Sequence, residues 1–304
     1  MFNVVIVNWN GLQFCKDLFE DISKISDELF LRCIVVDNAS SDGSVEFIRE
    51  NYPKINLITS NENLGYAKGN NIGLRHCTED YVFLLNNDTR IADKDFFKKI
   101  ISFLEKNPSI GAMTPTLVLP DGRLQTGACG FDKGLISYVA HFFFLSKISI
   151  KYFPPLYLDQ RVCIASGKET LVDWVSGACL VARRDVLVKV GGVPSDYFMY
   201  AEDIKLCRNI KQIGYSVAYF PGAKLMHIHG GSETEKSTKT RWITSTLSEY
   251  EQREGSGAKK IAQMIFFLGF LARSFIYYWL YLFSRKNRFK VAGKKMWMYA
   301  MASL

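Results

Sequence analysis

The sequence lacks close cysteine pairs, a recognisable secretion leader and any internal repeat. Its seven cysteines are scattered singly, and no two of them have the spacing of a metal knuckle. We therefore expect buried free thiols in a reducing compartment. No basic and apolar leader precedes the first strand-like run, so secretion through a signal peptide is not expected.

Signatures of covalent catalysis and of nucleic-acid recognition are also missing. The chain shows neither a serine-protease-like nor a Cys–His signature. Its net charge of +8 favours an anionic partner, such as a nucleotide phosphate, a nucleic acid or an anionic lipid. The basic residues cluster beside a C-terminal apolar segment, not along a groove-sized face, so we expect no nucleic-acid partner.

The N-terminal part of the sequence alternates between strand-like and helix-like segments. Apolar, often β-branched runs at residues 2–7, 31–36, 56–59 and 81–85 predict strands, and residues 12–28 have the spacing of an amphipathic helix. This alternation predicts an α/β fold with a mostly parallel, doubly wound (Rossmann-like) sheet. Ligands of such sheets bind at the carboxyl ends of the strands.

Polar side chains follow three of the predicted strands. A carboxylate in this place can accept hydrogen bonds from a nucleobase or ribose. It can also share a hard divalent cation with the oxygens of a pyrophosphate. Each residue taken alone could equally be a turn or cap residue. The residues are Asn8 and Asn10 after the first strand, Asp37 and Asn38 after the second, and Asn87 and Asp88 after the fourth.

Two later clusters could also carry chemistry. Glu202 and Asp203 open a predicted helix over residues 201–213, where they either complement the helix dipole or include a general base for an acceptor hydroxyl. His227 and His229 alternate on a strand-like segment and so share one face. One of them could complete a metal site, and the alternative is a pair of surface imidazoles.

Taken in order, these segments resemble glycosyltransferase family 2, in particular its bacterial rhamnosyltransferase-like branch. The resemblance covers roughly residues 3–235, and eight motifs match in sequence order. The motifs lie at residues 7–11, 35–44, 63–73, 84–89, 176–178, 191–192, 198–203 and 227–232.

The resemblance implies a GT-A fold and an inverting transfer of a sugar, rhamnose foremost, from a dTDP- or UDP-linked donor. The acceptor would be a glycan or lipid-linked glycan in cell-surface polysaccharide assembly. Asp37 would bind the nucleobase, Asp88 would hold Mg²⁺ or Mn²⁺ on the diphosphate, and Asp203 would be the catalytic base with Glu202 beside it. The full expected set is Asn8, Asn10, Asp37, Asn38, Asn71, Asn87, Trp174 and Gly177 for the nucleotide-sugar and Asp88, His227 and His229 for the metal.

The sequence departs from the family pattern at a few places. Asn86 replaces the first aspartate of a strict DXD motif, Lys205 stands where an acid is frequent, and residues 193–195 lack the usual Phe-Asp-Glu. These departures keep open an inactive nucleotide-sugar-binding membrane protein of the same fold. A nucleotidyltransferase is the other alternative, but residues 8–11 carry no cation of the kind that its first loop would normally have.

The resemblance and the composition together predict three regions. Residues 1–235 would form the GT-A domain, with a nucleotide-binding half to about residue 110 and an acceptor half from about residue 111. Residues 236–257 would be a polar linker, and residues 258–304 an apolar and basic helical segment.

The apolar segment at residues 261–283 is long enough to span a bilayer. Its central Arg273 costs about 2.5–3.5 kcal/mol on insertion scales, and basic residues flank both ends. We therefore expect a peripheral or monotopic anchor on the anionic surface of the cytoplasmic face, although a span and an ordinary buried helix are alternatives. The aromatic stretch 135–157 could extend this surface.

Overall fold

A computed structural model describes residues 1–132, 134–149, 152–153, 155–196, 200–228 and 238–304. The chain divides into two compact units. The sheet unit comprises Met1–Gly130, Tyr157–Phe198 and Glu202–Ser232, and the helical unit comprises Phe131–Leu156, Met199–Ala201 and Glu233–Leu304.

The sheet unit is built, within the described residues, on a nine-stranded sheet and a two-stranded sheet. The larger sheet contains β1 (Phe2–Asn8), β2 (Cys33–Asp37), β3 (Asn56–Thr59), β4 (Tyr81–Asn86), β5 (Thr89–Arg90), β6 (Ile110–Val118), β8 (Thr170–Val172), β10 (Cys179–Arg183) and β11 (Ser216–His227), and the smaller one β7 (Cys129–Gly130) and β9 (Trp174–Val175).

The strand order of the larger sheet is β3-β2-β1-β4-β10-β6-β11-β5, with β8 paired to β11. β3, β2, β1 and β4 run parallel, as the sequence predicts. The second half is mixed, because β10 is antiparallel to both β4 and β6 whereas β11 is parallel to β6. The predicted α/β architecture is confirmed, and its regular parallel part ends at β4.

Helices flank the sheet and build the helical unit. α1 illustrates the pattern, because Cys15, Leu18, Phe19 and Ile22 are its buried apolar residues and recur at helical spacing. The sheet unit holds α1 (Leu12–Ile25), α2 (Ser44–Asn51), α3 (Gly65–Leu74), α4 (Phe96–Lys106), α6 (Gln160–Ser166), α7 (Arg184–Lys189) and α8 (Glu202–Gln212), and the helical unit holds α5 (Leu135–Phe142), α9 (Thr238–Glu254), α10 (Ser256–Ser284) and α11 (Asn287–Ala302).

Two segments differ from the expectation. The apolar run at residues 173–181 has the sequence pattern of one continuous strand, but it is divided between β9 and β10, which belong to different sheets. The break contains Gly177, where an added Cβ would lie 2.9 Å from the Tyr66 hydroxyl oxygen. The predicted linker is largely helical, since α9 covers residues 238–254.

The seven cysteines are all buried and unpaired, as the scattered spacing predicts. Cys33, for example, lies in β2, and burial raises the pKa of its thiol to about 12. These side chains therefore act as small apolar core residues.

The helical unit has its own core, in which α10 packs against α5, α9 and α11. Phe142 of α5 meets Phe266 and Phe270 of α10 edge-on, with ring centroids 5.1 and 4.8 Å apart. The aromatic stretch 135–157 is therefore divided, because Tyr138 and Phe142 are buried while Phe143, Phe144 and Tyr152 are exposed.

Arg273, the charge in the middle of α10, turns towards α5. Its guanidinium donates to the carbonyl oxygen of His141, lies 3.1 Å from His141 Nε2, and stacks over the rings of Phe142 and Phe144. Burial, and then the charge of Arg273, lowers the pKa of His141 to about 4. The neutral imidazole can therefore accept a hydrogen bond from the arginine.

The outer face of α10 is apolar between residues 261 and 283. Among the described residues, α10 is the one helix whose length and composition would allow it to cross a membrane. Every exposed residue between positions 261 and 283 is apolar, and we call this set the α10 stripe: Ile261, Met264, Leu268, Phe275, Ile276, Trp279, Leu282 and Phe283.

Candidate active site

The polar residues that end β1, β2 and β4 meet at one edge of the sheet. Asn8 is the register partner of Asp37 across β1 and β2, and Val7 is the partner of Asn86 across β1 and β4. The carboxyl ends of three parallel strands therefore lie side by side, which is where a nucleotide binds in sheets of this type.

Asp37 is at the centre of a hydrogen-bond network at this edge. Asn8 Nδ2 donates to Asp37 Oδ2 at 2.8 Å, and the Ser40 N–H donates to Asp37 Oδ1 at 2.8 Å. The Ser40 hydroxyl adds a bond to Asp37 Oδ2 at 2.7 Å, and Asn87 Nδ2 donates to Asn8 Oδ1 at 2.7 Å. Asp37 is 1% exposed and fixes the loop after β2, while its contact with a nucleobase remains a prediction.

Asn10 and Asn38 extend the same edge. Asn10 is exposed, and its Oδ1 accepts from the Ser41 N–H at 2.8 Å. Asn38 is buried, and its Nδ2 donates to the Gly65 carbonyl at 3.1 Å. Asn38 Oδ1 has no hydrogen-bond partner among the described residues, so it retains acceptor capacity for a ligand.

Asn71 and Trp174 have supporting contacts within the protein. Asn71 exchanges two hydrogen bonds with the backbone of Val193, at 2.7 and 2.8 Å, and so ties α3 to the loop after α7. Trp174 is buried and meets Tyr157 edge-on at 5.9 Å. Their roles as nucleotide-sugar ligands stay predictions.

Asp88 and His227 lie together at the end of β4. His227 Nε2 is 3.2 Å from Asp88 Oδ1, and Asn86 Nδ2 is 3.5 Å from the same nitrogen. His229, the other expected metal ligand, falls outside the described residues. Among the residues that are described, no three His, Cys, Asp or Glu side chains gather into a metal cluster.

The pair Asp88 and His227 fits a divalent cation as part of its ligand set. A carboxylate oxygen suits Mg²⁺ and Mn²⁺, and an imidazole nitrogen suits transition ions better than Mg²⁺. Neighbouring ligands of an octahedral ion with bonds of about 2.1 Å lie about 3.0 Å apart. The 3.2 Å between Asp88 Oδ1 and His227 Nε2 is close to that spacing.

Glu202 and Asp203 occupy the first turn of α8. Asp203 Oδ2 accepts from the Gly177 N–H at 3.0 Å, and Asp203 Oδ1 accepts from the Ile204 N–H at 2.8 Å. Burial raises the pKa of Asp203 against the opposing effect of these bonds. Burial, and then the charge of Asp203, raises the pKa of Glu202 to about 8. Burial therefore favours the protonated form of Glu202, while the two backbone hydrogen bonds of Asp203 favour its charged form, so Asp203 is the candidate base.

Hydrogen bonds through the turn at Gly177 and Ala178 connect Asp203 to the end of β4. Gly177, which holds Asp203, also accepts a hydrogen bond from the Tyr66 hydroxyl at 2.7 Å through its carbonyl oxygen. The next residue, Ala178, accepts from the Asn86 N–H at 3.0 Å. The turn thus places the proposed base next to the end of β4, although 115 residues separate Asp88 from Asp203.

Sequence reasoning missed one residue in the site, Gln125. Its Oε1 lies 2.8 Å from His227 Nδ1, and the side chain is buried. No motif includes it, and no local pattern marks a single glutamine in an irregular segment.

This arrangement of strands and strand-end residues is the GT-A glycosyltransferase fold. A mannosyltransferase from Pyrobaculum calidifontis, PcManGT, solved in complex with GDP-Man and Mn²⁺, aligns with a TM-score of 0.60. The alignment covers 99% of this chain and 85% of that one at 16% identity, so it shows the shared fold alone.

The family follows from the sequence itself. The family model described as Glycosyl transferase family 2 matches residues 3–128, and that of Glycosyl transferase family group 2 matches residues 81–303. The chain belongs to glycosyl transferase family 2 and is a glycosyltransferase, which confirms the resemblance of its motifs.

Two relatives are rhamnosyltransferases. The chain is 27% identical to the N-acetylglucosaminyl-diphospho-decaprenol L-rhamnosyltransferase of Mycobacterium tuberculosis, across 71% of this chain and 72% of that one. It is 25% identical to Rhamnosyltransferase WbbL of Escherichia coli strain K12, across 84% of this chain and 94% of that one.

Proposed function

We propose that the chain is an inverting, metal-dependent hexosyltransferase that uses a nucleoside diphosphate-sugar. The observation that carries the proposal is the meeting of three groups at one sheet edge. These are the Asp37 network, the pair Asp88 and His227, and Asp203 of α8, which is hydrogen-bonded to the turn that contacts the end of β4. Each group has a separate task in glycosyl transfer.

In this mechanism Asp203 takes the proton of the acceptor hydroxyl while that oxygen attacks the anomeric carbon. The bond from this carbon to the diphosphate oxygen breaks, its electron pair leaves with the nucleoside diphosphate, and the anomeric configuration inverts. Asp88 and His227 would hold Mn²⁺ or Mg²⁺, which neutralises the leaving diphosphate. Asp37, with Asn8 and Ser40, forms the rigid edge for the nucleoside.

Rhamnose on dTDP is the proposed donor, with UDP-linked hexoses as the next candidates. The support comes from the two rhamnosyltransferase relatives, one of which has a decaprenyl diphosphate-linked acceptor in its name. We propose an acceptor of the same chemical class, a glycan linked to a lipid diphosphate, in the assembly of a cell-surface polysaccharide.

We further propose that the helical unit binds the cytoplasmic surface of the cell membrane. The α10 stripe provides apolar contact, while Arg273 is directed at His141 and not at the outer face. No acidic residue follows Glu254, so α10 and α11 together are basic. An apolar face beside exposed cations suits an anionic lipid surface.

The first experiment measures donor turnover by the wild type and by Asp88→Ala, with and without Mn²⁺, over a panel of dTDP- and UDP-sugars. We expect turnover of one donor only with metal, and a loss of at least ~100-fold in the variant, because the leaving diphosphate is no longer neutralised. Asp121→Ala, an exposed acid outside the site, is the control and should turn over normally.

The alternative outcome is equally informative. If a nucleotide-sugar binds but is not turned over under any condition, the chain is an inactive nucleotide-sugar-binding membrane protein of the same fold and not an enzyme. If turnover is unaffected by metal removal and by Asp88→Ala, the proposed transferase activity stands, but its proposed metal dependence is wrong.

A further inference from the structure

The orientation of His227 is fixed from the side of its ring away from Asp88. Gln125 Oε1 lies 2.8 Å from His227 Nδ1. An amide oxygen is an acceptor without a proton, so in this contact the hydrogen belongs to Nδ1. In the neutral ring Nε2 then keeps its lone pair, and it faces Asp88 Oδ1 at 3.2 Å.

Gln125 is itself held from two sides. It is 5% exposed, and its N–H donates to the Leu117 carbonyl on β6 at 2.9 Å. Its carbonyl accepts from Gln160 Nε2 at 2.8 Å, and Gln160 Oε1 accepts from the Leu117 N–H at 3.2 Å. The backbone of Gln125 is therefore anchored to the sheet beside His227.

In this tautomer the lone pair of His227 Nε2 is directed towards Asp88 Oδ1, and Asn86 Nδ2 lies 3.5 Å from the same nitrogen. A divalent cation bound by both atoms would fit this arrangement, and a metal-bound imidazole usually donates its other N–H to an oxygen acceptor. Gln125 has the position and the chemistry of that acceptor.

We propose that Gln125 is a positioning residue, which selects the tautomer of His227 that presents Nε2 to a divalent cation shared with Asp88. This inference rests on the proposed metal-dependent transfer and adds to it a residue that touches neither donor nor acceptor. Diphosphate oxygens of a bound nucleotide would supply further ligands, so Mn²⁺ and UDP together are the probe.

The test compares Gln125→Leu, which removes the acceptor at similar size, with Gln125→Glu, which keeps an oxygen for Nδ1–H. Binding of Mn²⁺ to the UDP-saturated full chain is measured by calorimetry. We expect a 10- to 100-fold weaker affinity for Gln125→Leu and a change of less than ~5-fold for Gln125→Glu. UDP binding without metal should not change in either variant.

The tautomer is read directly by long-range ¹⁵N–¹H spectra of the metal-free wild type. Hydrogen on Nδ1 and none on Nε2 of His227 supports the inference even if Gln125→Leu fails to fold. Hydrogen on Nε2 alone, or wild-type Mn²⁺ affinity in Gln125→Leu, overturns it.

Asp88→Ala distinguishes failure of the proposed metal site from failure of the role of Gln125 alone. If Asp88→Ala binds Mn²⁺ with UDP as tightly as the wild type does, the metal site and this inference fall together. If Asp88→Ala loses Mn²⁺ while folded Gln125→Leu keeps it, only the role of Gln125 is rejected.

Discussion

At the scale of single residues, the neighbouring acids Glu202 and Asp203 differ because of what surrounds each carboxyl group. Asp203 accepts hydrogen bonds from two backbone N–H groups, of Gly177 and Ile204, which favour its charged form. Glu202 Oε2 has no hydrogen-bond partner among the described residues, and burial beside Asp203 raises the pKa of the group and so favours its protonated form. Sequence spacing alone could not assign these different roles.

The first prediction separates the two acids by activity. Asp203→Asn should lower kcat by about 10²–10⁴-fold, because the proton of the acceptor hydroxyl has no base to receive it. Glu202→Gln replaces a protonated carboxyl by an amide of the same shape and should lower kcat far less. Initial rates at saturating donor measure both, and equal losses in the two variants would contradict the assignment of the base to Asp203.

The second prediction concerns stability against pH. The pKa of Glu202 rises from 4.5 to about 8 on folding. The contribution of this carboxyl group to the free energy of unfolding is therefore fully present below pH 4.5 and is lost as the pH rises through 8. Glu202→Gln lacks this dependence. Between pH 4.5 and 8.5 the free energy of unfolding of the variant should therefore rise, relative to that of the wild type, by on the order of 2–4 kcal/mol. Burial is the main cause of the raised pKa, and the amide of glutamine has no charge to bury.

Urea unfolding of both proteins at several pH values in this range measures the difference. A difference that does not change with pH would show that Glu202 is ionised in the folded protein.

At the scale of elements, close packing of α5 on α10 depends on a glycine. A Cβ at Gly269 would overlap the ring of Phe142, which belongs to the core of the helical unit. Gly257 lies in the same helix with open space around its Cβ position. The two glycines therefore form a matched pair for a packing test.

The third prediction is that Gly269→Ala lowers the free energy of unfolding of the helical unit by about 1–3 kcal/mol, because the added methyl group must displace Phe142. Gly257→Ala should be neutral or stabilising by up to ~1 kcal/mol, since alanine favours helix. Thermal unfolding in one buffer and detergent compares them, and equal midpoints for the two variants would rule out the packing argument.

At the scale of the whole molecule, the distribution of charge and apolar surface suits a membrane. The α10 stripe is exposed, and the basic residues that follow it are exposed as well: Arg285, Lys286, Arg288, Lys290, Lys294 and Lys295. Phe142 is unsuitable for testing this surface because it is a core residue, whereas Phe275 and Trp279 point outwards.

The fourth prediction is that Phe275→Asp combined with Trp279→Asp weakens binding to liposomes with anionic lipid by tenfold or more. Burying each large apolar side chain contributes about 1.5–3 kcal/mol, and 1.4 kcal/mol is a tenfold change. Leu31→Asp, an exposed leucine of the sheet unit, should bind as the wild type does. Unchanged binding by the double variant would remove the α10 stripe from the membrane proposal.

The sequence by itself determined the parallel strands β1 to β4 and the polar residues that end them. β-branched runs and turn-forming Asn and Asp act locally, so Asn8, Asp37 and Asp88 could be assigned to strand ends without knowledge of the remaining chain. The family motifs selected Asp203 from the pair Glu202 and Asp203 as the base, a choice that no periodicity would have made.

Only the tertiary structure decided which side chains meet across the chain. His227 and Gln125 are 102 residues apart in sequence, and Arg273 and His141 are 132 apart, and neither pair leaves a local pattern. The division of residues 173–181 between two sheets also depends on distant contacts of Gly177 with Tyr66 and Asp203. Such choices follow from packing and hydrogen bonding between elements, which composition and spacing do not encode.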